Sequence, residues 1–246
     1  MNKYGLQRYF KSGKVCPDCG TLRKKRYVLH PFTLPGSYDK GQWLISDCEC
    51  VKKERTLKRL ERAKVLSIPG INPLPPAMQK HSFDNFKVGA FNQEAHEACI
   101  TFARNFSKIK VGQGIILYGR SGTGKTHLAS AIANTLKEKH SVAFAYMPSL
   151  LERMRTSNVS LEPLLSVDLL VLDDVGSERE TGWTTERLLI IVDGRLTNLK
   201  PTVFTTNYDL EDLEKRVGMR VASRILGNNL QLLLQGPDWR LIHHRN

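Results

Sequence analysis

From about residue 92 the apolar positions fall into alternating helix-like and strand-like stretches. Residues 92–106 carry Cys99, Phe102 and Phe106 on one face at helical spacing. Gly114-Ile115-Ile116-Leu117-Tyr118 is a short apolar run and predicts a buried strand. Residues 126–139 return to helical spacing, with Leu128, Ala129, Ile132, Ala133 and Leu136 on one face. A second strand is predicted over 141–147, followed by a short helix over 148–155 with Leu150, Leu151 and Met154 inward. The apolar run 167–174 predicts a third strand, 201–207 a fourth and 230–234 the last, with a helix over 214–226. Strands alternating with helices in this way predict an α/β fold, a parallel sheet flanked by helices.

The pattern upstream is different. Residues 51–66 predict a very basic helix with only a narrow apolar stripe at Leu57, Leu60 and Lys64/Val65. Pro69, Gly70, Pro73, Pro75 and Pro76 then stop helix propagation and predict a stiff linker over 67–77. The expected organisation is a small module over 1–66, the linker, and a main domain over 78–246. A length of 246 residues accommodates one sizeable core and one small module.

The strand over 114–118 runs into Gly119-Arg120-Ser121-Gly122-Thr123-Gly124-Lys125-Thr126, a full match to the phosphate-binding loop G-x-x-x-x-G-K-[ST]. Gly119, Gly122 and Gly124 let the backbone curl so that its N–H groups, those of Ser121 and Thr123 included, can face a triphosphate. Lys125 can reach the β- and γ-phosphates, and the Thr126 hydroxyl can hold Mg²⁺. The helix that follows offers its N-terminus to the anion. The strand over 167–174 ends in Asp173 and Asp174. At a strand's C-terminal edge Asp173 is placed to face the Mg²⁺ held through Thr126, and Asp174 to orient water. Asp174 stands where many such ATPases carry the longer Glu, so slow hydrolysis is expected. Read blandly, the pair is a strand-ending turn. Asn207 ends the strand over 201–207 and reads equally as a turn residue or as a group near the γ-phosphate. Arg220 and Arg224 share a helix face. Spacing alone favours a solvated basic face over an arginine finger.

Charge separates the two parts again. The chain carries a formal +13. The first 80 residues hold 17 Lys+Arg against 6 Asp+Glu, a net +11, whereas residues 81–246 hold 20 against 18, a net +2. The excess belongs to the N-terminal third and points to a phosphate-rich or acidic partner there, either nucleic acid or an acidic protein face. The same third contains four of the five cysteines, in Cys16-Pro17-Asp18-Cys19 and Cys48-Glu49-Cys50. Paired thiolates at such spacing can converge on one tetrahedral Zn²⁺, with His30 as a possible substitute ligand. The alternative is reduced cysteines without metal. Cys99 reads as a buried apolar residue. No run of eighteen apolar residues and no signal-peptide pattern occurs, and a soluble cytoplasmic protein without membrane contact is expected.

The order of these motifs resembles a known clade. The loop over 119–126, Leu172-Asp173-Asp174-Val175-Gly176, Thr205-Thr206-Asn207 and Arg220-Val221-Ala222-Ser223-Arg224 are similar to the AAA+ initiators and loaders, above all to DnaC/DnaI-type helicase loaders. Ser82-Phe83-Asp84-Asn85-Phe86 and Gly236-Pro237-Asp238-Trp239-Arg240 resemble the edges of that family's ATPase domain, so the resemblance runs from about residue 78 to the end. It implies an AAA+ core without a full helical lid and an ATPase that loads the replicative DnaB-type helicase onto single-stranded DNA. It also implies Asn207 as sensor 1, Arg224 as an arginine finger acting in trans with Arg220 beside it, and Arg240 as sensor 2. Residues 147–165 would be the helical element that grips single-stranded DNA, and the N-terminal module would capture the helicase. Self-assembly in the ATP-bound state follows from the finger. IstB-like transposition helpers share most of the core pattern. A non-hydrolysing, ATP-ordered nucleic-acid adaptor is the remaining alternative.

Overall fold

The computed structural model describes residues 9–11, 15–23, 25–29, 41–45, 48, 50, 52–53, 56, 74–109, 112–157, 160–178 and 181–242. The chain forms two compact units, Met1–Leu60 and Glu61–Asn246. The first holds an antiparallel sheet of β1 (Tyr9–Lys11), β2 (Lys25–Leu29) and β3 (Gly41–Ile45), with Tyr27 opposite both Tyr9 and Trp43. A tight turn precedes β2. The Cys16 N–H donates to the Thr21 carbonyl and the Gly20 N–H to the Cys16 carbonyl, and Val15 bridges Leu22. Cys50, Lys52, Lys53 and Thr56 have helical conformation. The rest of the basic helix expected over 51–66, the linker up to residue 73, and His30 lie outside the described residues.

The second unit is a five-stranded parallel sheet. In chain order it runs α1 (Gln93–Asn105), β4 (Ile115–Tyr118), α2 (Lys125–Leu136), β5 (Val142–Tyr146), α3 (Met147–Thr156), α4 (Glu162–Ser166) and β6 (Leu169–Asp173). It continues with α5 (Gly182–Thr197), β7 (Thr202–Thr206), α6 (Leu210–Val217), α7 (Met219–Asn228), β8 (Leu230–Leu233) and α8 (Trp239–Ile242). The strand order is β5-β6-β7-β4-β8. The chain leaves β4, crosses to the far edge at β5 and returns, so a crevice opens at the C-terminal end of β4.

Alternation along the strands explains the layering. Ile116, Leu170, Leu172 and Phe204 enter one core with α3 to α7, while Ile115, Leu117, Leu169, Val171 and Val203 enter the other with α1 and α2. Cys99 is fully buried in that second core, and burial pushes its thiol up to about 12. Leu74, within the expected linker, is also buried there at 3% exposure. Packing of this unit therefore includes residues upstream of 78.

Two features depart from the sequence pattern. The helix expected over 214–226 is two helices, broken at Gly218, whose φ of 83° an L side chain rarely adopts. α5, sixteen residues opened by a Thr181/Thr184 capping box, has no counterpart in the periodic reading. Its Arg195 is 1% exposed and donates to Thr202 Oγ1 and to the carbonyls of Leu164, Val167 and Pro201. These bonds tie α4, α5 and the start of β7 together.

Candidate active site

Register sets the site. Tyr146 pairs with Asp173 and Tyr118 with both Thr206 and Leu233, so the ends of all five strands lie along one sheet edge. The loop that leaves β4 is strongly curled, with φ of 127° at Gly119, 79° at Gly122 and 101° at Gly124. The φ of Gly122 favours glycine, and a Cβ there would displace the Asp238 carboxylate. Gly124 caps α2 and aims that helix's N-terminus into the loop.

Lys125 is 5% exposed, and its Nζ donates to the carbonyls of Gly119 and Arg120 at 2.7 Å each. The amine thus spans the mouth of the loop. Burial draws it down to about 8, against the pull of Asp174 and Asp173. Thr126 Oγ1 donates to Asp173 Oδ1 at 2.9 Å, and Thr205 Oγ1 donates to the same oxygen at 2.7 Å. Burial raises the Asp173 carboxyl above its ordinary range, and these two hydroxyl bonds oppose the rise. A hydroxyl sharing an oxygen with a buried carboxylate is a hard-oxygen donor set that suits Mg²⁺.

Asp174 is held from three directions. Its N–H donates to Thr205 Oγ1 at 2.9 Å, Oδ1 accepts from Asn207 Nδ2, and Oδ2 accepts from the Tyr146 hydroxyl at 3.4 Å. Burial and the Asp174 charge raise the Tyr146 phenol, which keeps it a donor. The φ of Asp174 is 64°, a strained value for a residue with a side chain. Arg240 reaches the loop from α8. Its Nη2 donates to Ser121 Oγ at 2.6 Å, and the Trp239 N–H donates to the Gly122 carbonyl at 3.1 Å. Asp238 steadies Arg240, whose bonds hold the Asp238 carboxyl low.

Lys125, Thr126, Asp173, Asp174, Asn207 and Arg240 are therefore brought together. Arg220 and Arg224 are not. Arg224 Nε donates to Asp193 on α5 and Nη1 to the Arg220 carbonyl at 2.8 Å, and Arg220 is exposed on α7. Sequence reasoning passes over Thr205 and Tyr146. A buried Thr pair in a central strand is the signal for the first, and nothing in the periodic pattern marks the second. A cavity of about 510 Å³ lies beside the loop, lined by Gly119, Arg120, Asn207, Tyr208, Asp209 and Gly236 among others. Its lining does not include Lys125 or Asp173, so this hollow and the phosphate-binding chemistry are adjacent rather than identical.

The first unit holds its own cluster. The Sγ atoms of Cys16, Cys19, Cys48 and Cys50 all lie within 4.8 Å of one another, with Cys16 to Cys50 at 3.8 Å and Cys48 to Cys50 at 2.9 Å. Tetrahedral Zn²⁺ with sulfur at about 2.3 Å separates its ligands by about 3.8 Å, so the four residues fit that ion. Hydrogen bonds with Cys48 and Cys19 push the Cys50 thiol up, whereas the hydrogen bond with the Thr21 hydroxyl pulls Cys19 down to about 6.

A P-loop after β4 of a β5-β6-β7-β4-β8 parallel sheet, with an asparagine at the end of the neighbouring β7 and carboxylates at the end of β6 beyond it, defines an AAA+ type nucleotide-binding protein. Comparison with known proteins narrows the class. The model of the bacterial DnaA ATPase domain matches residues 77–227. The replicative helicase loader DnaC of Escherichia coli K12 is 32% identical over 241 residues, which is 91% of this chain and 96% of that protein. A crystal structure of the DnaC helicase loader superposes with a TM-score of 0.59 at 30% identity, over 65% of this chain and all of that one. The initiator DnaA bound to AMPPCP and single-stranded DNA superposes with a TM-score of 0.57 at 26% identity, over 67% and 51%. The chain belongs to the DnaC/DnaI-type family of AAA+ helicase loaders. Among the described residues no helix is long and apolar enough to cross a membrane.

Proposed function

We propose that the protein is an ATP-dependent loader of a hexameric replicative helicase onto single-stranded DNA. The observation that carries the reading is the Thr126–Asp173–Thr205 bond set beneath the loop, with Asp174 and Asn207 beside it. ATP lies along the N–H groups of residues 119–126, with Lys125 and Arg240 against its phosphates. Bound Mg²⁺ would neutralise charge between the β- and γ-phosphates. Thr126 and Asp173 are the residues to hold it. Asp174 and Asn207 orient the attacking water, and the short Asp174 side chain keeps turnover slow. Arg224 acts on a neighbouring copy's nucleotide, consistent with its distance from its own loop, so assembly and nucleotide state are coupled.

Single-stranded DNA lies along α3, α4 and the start of α5. Arg153 and Arg155 are exposed on α3. The guanidinium carbons of Arg155 and Arg187 stand 5.2 and 5.7 Å from the Trp183 ring centroid. Cations interleaved with an aromatic ring suit phosphates and unstacked bases. The module over 1–66, folded by Zn²⁺ on its four cysteines, captures the helicase. Bound Zn²⁺ would supply the folding energy that its small apolar core lacks.

Co-purification of the full chain with its cellular partner tests the reading. A replicative helicase is expected, and capture of a transposase would overturn it. Turnover of ATP stimulated by single-stranded DNA is also expected, and its absence would leave only an ATP-ordered adaptor. Arg224→Ala should bind ATP normally and hydrolyse it poorly. Normal turnover would sink the finger assignment.

A further inference from the structure

The loop that follows the two carboxylates is fastened by side chains from α6. Arg216, in the last turn of α6, lays its guanidinium 3.9 Å from the centroid of the Tyr208 ring and donates Nη1–H to the Gly176 carbonyl at 3.2 Å. The other polar group of Gly176 is also taken, since its N–H donates to Glu178 Oε2 at 3.0 Å. Gly176 has a φ of 88°, and a Cβ there would sit 3.1 Å from Leu213 and 3.3 Å from the Tyr208 ring. The preceding Val175 N–H donates to the Thr205 carbonyl at 2.8 Å. Tyr208 directly follows Asn207, whose amide donates to Asp174. The contacts therefore close a ring through Asp174, Asn207, Tyr208, Arg216 and Gly176.

We propose that Arg216 is a positioning residue for ATP hydrolysis, clasping Tyr208 to Gly176 so that Asp174 and Asn207 keep one geometry. The proposal rests on the ATPase reading above. Arg216 is exposed and has no carboxylate within ion-pair distance among the described residues, so a purely stabilising role is small. Burial raises the Glu178 carboxyl, the backbone N–H groups of Glu178 and Gly176 oppose the rise, and the Arg216 charge adds a smaller opposing pull. Asp174 has positive φ and no glycine's freedom, so its orientation depends on what holds the peptides after it. The clasp also lies two residues before Gly218, the break that leads into α7 with Arg220 and Arg224. Displacement of α7 by a neighbouring copy would thus be felt at Asp174 through Arg216.

The test is steady-state ATP hydrolysis together with equilibrium ATP binding on the full chain. Arg216→Ala is expected to lower kcat about tenfold with ATP affinity changed less than about twofold and the melting temperature unmoved. Arg216→Lys keeps the charge and a donor without the planar stack and should recover part of the rate. Tyr208→Leu should behave like Arg216→Ala, whereas Tyr208→Phe, which keeps the ring, should match the unsubstituted protein. Unchanged kcat in Arg216→Ala, or a parallel fall in affinity and melting temperature, would overturn the proposal. Equal loss in Tyr208→Phe and Tyr208→Leu would overturn it as well. Should the unsubstituted protein show no turnover, the ATPase reading fails on its own account. The clasp is then judged by amide hydrogen exchange over residues 174–178. Arg216→Ala should speed that exchange about tenfold, and an unchanged rate would refute it.

Discussion

In the N-terminal unit the described aliphatic side chains lie mostly outside, with Val15 at 58%, Leu22 at 47% and Ile45 at 52% exposure, while Cys16 and Cys48 are buried. In the ATPase unit both faces of the inner strands are buried, and the buried Arg195 and Thr205 are bonded to named partners. One unit gathers around four sulfur atoms and carries the positive charge, and the other gathers around a sheet and carries little net charge. Under the proposed function the difference corresponds to separate sources of stability and separate tasks: a metal-held, basic surface for a partner, and a nucleotide pocket that needs no metal to fold.

Four perturbations press on that division. The largest effect is expected from Cys16→Ser with Cys48→Ser, or from strong chelation of the intact protein. Loss of Zn²⁺ removes about 10 kcal/mol or more of apparent folding free energy from a small zinc module. Residues 1–60 should lose amide protection while ATP affinity stays unchanged, and metal analysis should give about one equivalent of zinc beforehand. Next comes Lys125→Ala, expected to weaken ATP binding about a hundredfold or more in a nucleotide-binding assay, with zinc content unaltered. Arg195→Met should destabilise only the ATPase unit, by about 3 kcal/mol or more, because three buried carbonyls lose their donor. Denaturant unfolding would measure it.

The smallest effect concerns pH. His81 and His127 stack at 4.3 Å, and burial lowers both, with His127 adding to the shift at His81 and His96 to that at His127. Folded-state values below the unfolded 6.5 mean that unfolding takes up protons. Stability is then full above about pH 6.5 and falls as pH drops below it. A melting temperature lower at pH 5.5 than at pH 7.5, with the drop reduced in His81→Phe, is the expected result. His81→Phe is the sharper probe because it removes one titrating ring and leaves the stack.

Much of the ATPase unit is legible in the sequence because its signals are local. The P-loop is contiguous, and the apolar strand runs end in Asp173 and Asn207, so the sheet edge can be read before any coordinates. What is not legible is set by distance. Tyr146 meets Asp174 only because β5 lies beside β6, and Arg216 meets Gly176 across 40 positions of sequence. Arg195 is unmarked in the periodic pattern, and its three carbonyl acceptors come from two distant segments, Leu164 with Val167 and Pro201. The Gly218 break is hidden because apolar spacing continues through it, with Leu213, Val217, Val221 and Ile225 all buried. The pairing of Cys16 and Cys19 with Cys48 and Cys50 is suggested by spacing, and their convergence is a property of the folded turn.

In the proposed function, nucleotide at the P-loop governs delivery of a helicase to DNA. The direct measurement mixes the full chain, the replicative hexamer that co-purifies with it, and circular single-stranded DNA, and counts hexamers retained on the circles after gel filtration. With ATP the unsubstituted protein should raise retention several-fold over helicase alone, and Lys125→Ala should not. Equal retention with and without the loader, or full activity in Lys125→Ala, would contradict the account.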